Sequence, residues 1–399
     1  MGATTGGSTG AGGRTDGGPA DGAAEVMIEC HDIAAALAFY VERFGFRVDA
    51  IFPAESPSVA VLRGYGIRLR LDPSARSVGL MIRLAVPDPS AFGGPAHIAA
   101  PDGTIIDIVD ANPPLELPPV AQSFVLERAS DAAKWTVGRA GMRYRDLIPD
   151  RQGGRFVASH IHVPNAGLVP DYVHFHKVRF QMIYCYRGWT RLVYEDQGDP
   201  FIMSAGDCVL QPPQIRHRVL ESSADLHVIE VGCPALHETL ADPDLRLPNG
   251  VGDSARLFGG QRFAFHSGAE SPWVAAADGF DRRRFGFAEA TFGLAEAAIV
   301  RPSPGVVSWP MSSHEAEFLF YVVVAGSVAL RRASADAPRN DAPRNDASRN
   351  DASRNDAPLN EVVLYDGDSV VLPAGQPYGW AGASSDLRLL EVTLPARPS

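Results

Sequence analysis

The sequence predicts a mainly β protein in which two tandem barrels follow a small α+β module, and three observations support this. The first is an internal duplication: Trp135, Gly141, Arg145, Leu147 and Pro164 recur 138 residues later as Trp273, Gly279, Arg283, Phe285 and Pro302, and Gly188 recurs as Gly326. Past that point the offset widens by 23 residues, so Gly206-Asp207 matches Gly367-Asp368. The second is texture: within each copy, short runs of Val, Ile, Leu, Tyr and Phe alternate with Gly, Pro and Asp turns, as in a sandwich or barrel. The third is one stretch of helical apolar spacing, Ile33 to Phe44, set among short alternating runs near the start of the chain.

Taken in chain order, residues 1–23 are almost wholly Gly, Ala, Thr, Ser and Asp, too poor in apolar area to offset the entropy of ordering, and read as a disordered tail. Residues 24–115 form the first module. Its strands are expected at Val26–Cys30, Val59–Leu62, Ile67–Leu71, Gly79–Ala85 and Thr104–Val109, with the helix after the first, a βαβββ-like order. The two copies occupy 116–240 and 241–399. Five tandem copies of Asp-Ala-(Pro/Ser)-(Arg/Leu)-Asn account for the widened offset; residues 336–360 are expected to be a disordered loop.

In the first module, Asp32, Ala36-Phe39-Tyr40, Phe44-Gly45-Phe46, Gly64-Tyr65-Gly66 and Pro101-Asp102-Gly103 resemble the glyoxalase-like vicinal oxygen chelate proteins over about 85 residues. That resemblance implies metal ligands at the start of the first strand and after the Asp-Gly turn. Glu25 and Asp107 stand there, a poor set, so this module is expected to be structural or an interaction surface, without metal.

The net charge of -11, from 36 Lys and Arg against 47 Asp and Glu, argues against partners that need a cationic face, such as nucleic acid or an anionic membrane. Cys30, Cys185, Cys208 and Cys233 are scattered, with no CxxC pair, and read as reduced thiols. No apolar run approaches a membrane span, and the Gly-rich start lacks the features of a signal peptide. The expected location is the cytoplasm.

The chemistry concentrates in the first copy. His174-Phe175-His176 is followed at fixed spacing by Gln181 and Gly188, then by Gly206-Asp207, Pro212-Pro213 and His217. Residues two apart in a strand leave the same face, so His174 and His176 point together into a barrel, and His217 adds a third imidazole. An isolated HxH is also an ordinary polar strand face. The downstream spacing and the duplicated frame favour metal binding.

This pattern resembles the two-part motif of the cupin superfamily, HxHx(3,4)Ex6G and Gx5Px4H, with Gln181 where a Glu is usual. The resemblance implies a bicupin of two double-stranded β-helix (jelly-roll) barrels, distantly like the gentisate 1,2-dioxygenase group. It also implies a metal held by His174, His176 and His217, with Gln181 as a weak ligand or a hydrogen-bond donor to substrate. In the second copy the same positions are Ser312, His314, Leu319 and Tyr378, so that barrel is expected to be degenerate and metal-free. His314 reads as a core histidine.

Around the motif, His160 and His162 alternate along one strand and are expected to line the same cavity, their counterparts being Ala298 and Val300. His162 and Arg179 are the candidate catalytic residues beside Gln181. Arg179, Arg191, Arg216 and Lys177 are candidates for clamping a substrate carboxylate. His31, His97, His227, His237 and His266 read as structural.

The expected activity is that of a non-haem Fe(II) dioxygenase with one divalent ion per chain. Its substrates would be dioxygen and a small anionic bidentate molecule, either a hydroxylated aromatic acid or a β-diketone-like enolate. Ni, Mn, Zn or Co would suit a redox-neutral isomerase, lyase or hydrolase, since histidine sites do not select iron by affinity. A ligand-sensing scaffold with a structural metal is the third reading. Pairing through sheet edges makes a homodimer the expected assembly.

Overall fold

The computed structural model describes residues 25–52, 57–76, 79–93, 95–130, 135–138, 141–276, 278–333 and 359–396. The tail at 1–23 and the repeat as far as 358 lie outside the described residues. The chain divides into two compact units, Met1–Pro114 and Leu115–Ser399. No helix among the described residues is long and apolar enough to cross a membrane.

In the first unit, strand Val26–Glu29 leads into helix Ile33–Leu37, which runs on as the wider-wound turn Ala38–Arg43. Asp32 starts the helix by accepting the Ala35 N–H at 2.9 Å, and Ile33, Ala36 and Tyr40 supply its buried face. Strands Arg47–Phe52, Val59–Gly64 and Ile67–Asp72 complete one sheet, with Val26–Glu29 parallel to Ile67–Asp72 at its edge. The βαβββ order is thus complete by residue 72. Strands Met81–Val86, His97–Ala99 and Ile105–Asp110 form a separate sheet. Arg47–Phe52 escaped the sequence reading because it is an edge strand, exposed from Arg47 to Ile51, whose short alternation through Val48 and Ala50 is broken at Ile51. Glu25 pairs with Arg68 at 3.2 Å and Asp107 with His97 at 3.1 Å, on different sheets.

The second unit is two jelly-roll barrels. In the first, a seven-stranded sheet runs in the order Ala264–His266, Cys208–Leu210, Phe180–Arg187, Leu226–Cys233, Val157–Val163, Arg143–Asp146, Thr136–Val137. Facing it are Phe201–Ser204, Trp189–Tyr194, His217–Ser222, His174–His176 and Thr239–Ala241. The second barrel repeats the scheme, and each barrel's large sheet ends on a strand that precedes the other barrel in sequence. Ala264–His266 pairs with Cys208–Leu210, while Val125–Glu127 pairs with Ser369–Val371. A division at residue 240 therefore does not follow the sheets. Gly188 and Gly326 turn the equivalent hairpins at φ +83° and +78°, a conformation open to glycine without strain.

Between the barrels the outer faces of the two large sheets share one core, in which Phe156 stacks on Phe318 at 4.1 Å. All four cysteines are buried thiols. Strand register also corrects the duplication: Arg145 pairs with His160 but Arg283 pairs with Ile299, so the offset here is 139. The twins of His160 and His162 are Ile299 and Arg301, not Ala298 and Val300.

At one end of this seam Arg145, only 2% exposed, donates to Gly367 O at 2.8 Å and lies 3.3 Å from His160 Nδ1. Burial, then the neighbouring guanidinium, pushes the His160 imidazole down to about 3. Unfolded chain takes up a proton near pH 6.5 that folded chain refuses until about pH 3, so this contribution to stability is lost as pH falls. Urea melts at pH 7 and pH 5 should show the wild type losing about 2 kcal/mol more than His160→Gln over that interval. Equal pH dependence would show that His160 is not held neutral.

Candidate metal centre

The short strand His174–His176 lies between two others, with His174 opposite both His217 and Ala241. Its alternation turns His174 and His176 inward, 1% and 9% exposed, while Phe175 faces out beneath the Arg216 guanidinium. His217 joins them from the start of its own strand. The ring centroids of His174 and His217 are 4.3 Å apart, and one nitrogen from each of the three rings lies within 4.8 Å of the others.

Each Nδ1 faces a backbone carbonyl: His174 that of Tyr172 at 2.8 Å, His176 that of Glu238 at 3.1 Å, His217 that of Ile215 at 3.1 Å. A carbonyl oxygen only accepts, so each Nδ1 carries the proton and each Nε2 keeps its lone pair. Buried Asp171, 3.6 Å from His174 Nδ1 and accepting the Val219 N–H at 2.9 Å, adds negative charge behind that ring. The tautomers are thus set for coordination through Nε2.

These rings open onto a cavity of about 260 Å³ inside barrel 1. Its wall is largely apolar, with Ile161, Val163, Leu192, Met203 and Val228 among the lining residues. Gln181 is 2% exposed and donates from Nε2 to Glu230 Oε1 at 2.5 Å, which leaves its carbonyl oxygen as the amide's other end. Glu230 enters because Leu226, Val228 and Glu230 form the inward row of their strand. Among the described residues no Lys or Arg lines the cavity, and no cation lies within ion-pair distance of Glu230.

Two further groups are left unsatisfied. Gln211, 1% exposed, sets Nε2 3.0 Å from His217 Nε2, while its Oε1 is buried without a partner. Turning that amide over would place the oxygen at the same 3.0 Å, about the separation of adjacent ligands in an octahedron with bonds near 2.1 Å. The Tyr194 hydroxyl, also buried without a partner, sits on a ring stacked 5.5 Å from His217, and burial pushes its titration up. Three imidazole lone pairs, an orphaned carbonyl oxygen and an uncompensated carboxylate fit a divalent cation.

Several expected residues lie elsewhere. His162 is not in the cavity: Ile161 and Val163 take the inward places on its strand, so His160 and His162 leave on the opposite face, toward the seam between barrels. There His162 stacks on His227 at 4.3 Å, and both come near Asp225, at 2.9 and 3.2 Å, a second grouping of donor atoms. Arg179 is turned to Glu317 at 3.1 Å, Arg216 to Asp242 at 3.0 Å and Arg191 to Glu221 at 3.3 Å; neither they nor Lys177 line the cavity. His237, read as structural, does line it, its ring 5.3 Å from that of His176. Glu230, Gln211 and Tyr194 were missed, because none shares a strand with the three histidines and their inward placing is set by pairing with other strands.

In barrel 2, Ser312 bridges Tyr378 as His174 pairs with His217, so these positions do correspond. Both ring nitrogens of His314 bond the backbone, at Leu372 O and Ala316 N. Glu391, the twin of Glu230, meets Arg282 at 3.2 Å and the Tyr321 hydroxyl at 2.6 Å. Its charge is neutralised within the fold.

No protein-family model matches the chain, and no curated protein matches it in sequence. Solved structures similar to it include oxalate decarboxylase of Bacillus subtilis, described with Mn(II) centres, at 11% identity and a TM-score of 0.48 over 69% of this chain and 78% of that one. Protein Ylba from E. coli is similar at 11% identity and a TM-score of 0.47, over 71% and 95%. A Pseudomonas aeruginosa protein named for induction by glyoxylate gives 12% and 0.48, over 72% and 95%. At such values these likenesses say nothing of this chain's ligand or reaction.

Chelator-stripped protein titrated anaerobically with Fe(II), or with Mn(II), Co(II), Ni(II) or Zn(II), should take up about one equivalent at this centre. That equivalent should vanish in His174→Ala and His217→Ala and survive in His162→Ala. Gln211→Leu should weaken it about 10- to 100-fold, and unchanged affinity would remove Gln211 from the ion's surroundings.

Proposed function

We propose that barrel 1 is a metal-dependent catalytic barrel of the cupin type, and that its reaction is an Fe(II)-dependent dioxygenation of a small chelating molecule. The observation that supports this most is the convergence of three imidazoles, their Nδ1 protons already given to backbone carbonyls, beside a half-buried carboxylate that no cation among the described residues balances. When bound, a divalent ion would supply Lewis acidity there and, as iron, electrons for dioxygen.

The chain's own residues define what can enter. His174, His176 and His217 would hold the ion through Nε2, with the carbonyl ends of Gln181 and Gln211 as further oxygen donors. The apolar wall keeps the site dry, which strengthens every polar contact made inside it. Without Lys or Arg in the lining, a free substrate carboxylate would find no guanidinium to meet it. This favours a β-diketone-like chelator, uncharged in water and anionic once its enol proton has left, over a hydroxylated aromatic acid. Glu230, the one carboxylate among the described lining residues, is placed to receive that proton.

The same carboxylate supports a second reading. A base beside a Lewis-acidic ion also suits redox-neutral proton transfer, and the donor set accepts Mn, Co, Ni or Zn as well as iron.

Iron-loaded protein in an oxygen electrode should consume dioxygen with pentane-2,4-dione and related diketones, and faster than with gentisate. Glu230→Gln should retain metal yet lower kcat by about 10²- to 10⁴-fold. Silence across both substrate classes, together with anaerobic turnover of a diketone by the Mn or Zn form, would replace the oxidative reading with the redox-neutral one.

A further inference from the structure

The seam between the two barrels carries the twin of the Arg145 site, and there the arrangement is open. Around Arg145 the space is filled by rings: His160 lies 5.1 Å from Trp135 and 5.4 Å from Tyr186, whose hydroxyl donates to Asp366. Strand register makes Trp273, Arg283, Ile299 and Val324 the twins of Trp135, Arg145, His160 and Tyr186, and Arg388 the twin of His227. Valine in place of tyrosine vacates volume. A cleft of about 360 Å³ results, lined by Trp273, Arg283, Arg388, His266 and Val324.

Its charge is unusual for a chain of net charge -11. Arg283, Arg301 and Arg388 all lie over the Trp273 ring, at 4.7, 4.2 and 5.3 Å. Only Arg301 is neutralised, by Asp281 at 3.1 Å; no carboxylate among the described residues lies within 4.0 Å of Arg283 or Arg388. Burial, then Arg301 and Arg283, pulls the Arg388 guanidinium down from its ordinary range, with Asp386 opposing.

Donors in the cleft are also unused. Arg283 gives one N–H to Gly268 O at 2.8 Å, but its Nε is buried without a partner. His266, 7% exposed, has a buried Nε2 without a partner, while the Ser271 hydroxyl lies 3.4 Å from its Nδ1. The Ser271 hydroxyl gives its proton to Ser267 O at 3.1 Å, so toward Nδ1 it accepts, and Nε2 is a third donor on the protonated ring. Buried polar groups of this kind are costly unless something accepts from them.

We propose that this cleft binds a small oxyanion, a carboxylate or phosphate group, between Arg283 and Arg388, with His266 beside them as a further donor when its ring is protonated. Such a group takes paired N–H donors from a guanidinium and relieves the mutual repulsion of the cations. The site is separate from the metal cavity and does not rest on the reading given to it. Its place on the seam would couple occupancy to the packing of the barrels.

Calorimetric titration of the full chain, as purified, with inorganic phosphate and with malonate at constant ionic strength tests this. Repeating it on His217→Ala separates binding here from coordination at the metal. One anion or both should bind at about one per chain in wild type and in His217→Ala, and the stronger identifies the headgroup. Arg388→Gln should weaken binding at least tenfold. Val324→Phe, which fills the cleft as Tyr186 fills its twin and leaves every charge in place, should abolish it. The proposal is overturned if neither anion binds wild type above a chloride control, or if either variant, folded by circular dichroism, binds as wild type does.

Discussion

Because neighbouring side chains leave a strand on opposite faces, the central strands of the large sheet in barrel 1 divide their residues between the cavity and the seam against barrel 2. On Val157–Val163 the inward members are Ile161 and Val163, and the outward ones Ala158, His160 and His162. On Phe180–Arg187, Gln181 and Ile183 go in while Met182 and Tyr184 go out. The polar residues of the barrel are thereby sorted into two groups that share strands but never a solvent. A slip of one residue would carry His160 into the cavity and Ile161 into the seam, where neither environment suits it.

Inside the cavity, the costs of burial bear on what it could hold. Three imidazoles, two carboxamides and a carboxylate in an apolar chamber would forfeit much hydration, and the fold meets the Nδ1 side of each ring with a backbone carbonyl. On the inner side Gln211 Nε2 lies 3.0 Å from His217 Nε2, the Gln211 carbonyl oxygen is buried without a partner, and Glu230 meets no cation among the described residues. A divalent cation would answer the oxygen and the charge together. Barrel 2 makes the contrast, since its equivalent Glu391 is met by Arg282 and Tyr321 and needs nothing from outside.

The convergence of the three histidines was legible in sequence because its signal is local: two histidines at period two, with the third set by a turn motif that recurs in both copies. The barrels were legible for the same reason, each being a string of short strands punctuated by Gly, Pro and Asp. What escaped reading depends on contacts far apart in sequence. Arg179 stands beside the motif, yet Glu317, 138 residues away, draws it from the cavity. Glu230 lies on a strand, and Gln211 directly after one, whose inward parity is fixed only by pairing with neighbours. The error over His162 had the same root, since pairing decides that Ile161 and Val163 take the inward face of its strand. The change of offset between Arg145 and His160, which makes Arg301 rather than Val300 the twin of His162, is likewise invisible without register.

That corrected register changes how the duplication is understood. With Arg301 and Arg388 standing where His162 and His227 stand, the two ends of the seam have diverged in charge as sharply as the two barrel interiors have in polarity. Barrel 2 packs its interior with Trp309, Phe280, Tyr378 and Trp380. What it contributes lies on its outer face, where Arg283 and Arg388 meet His266 from the strand that completes barrel 1. Because each barrel's sheet ends on a strand that leads into the other, an anion held in that cleft would touch both at once. Reciprocal strand exchange ties the packed barrel to the hollow one within a single compact unit, so that neither large sheet is complete without a strand from beyond its own barrel.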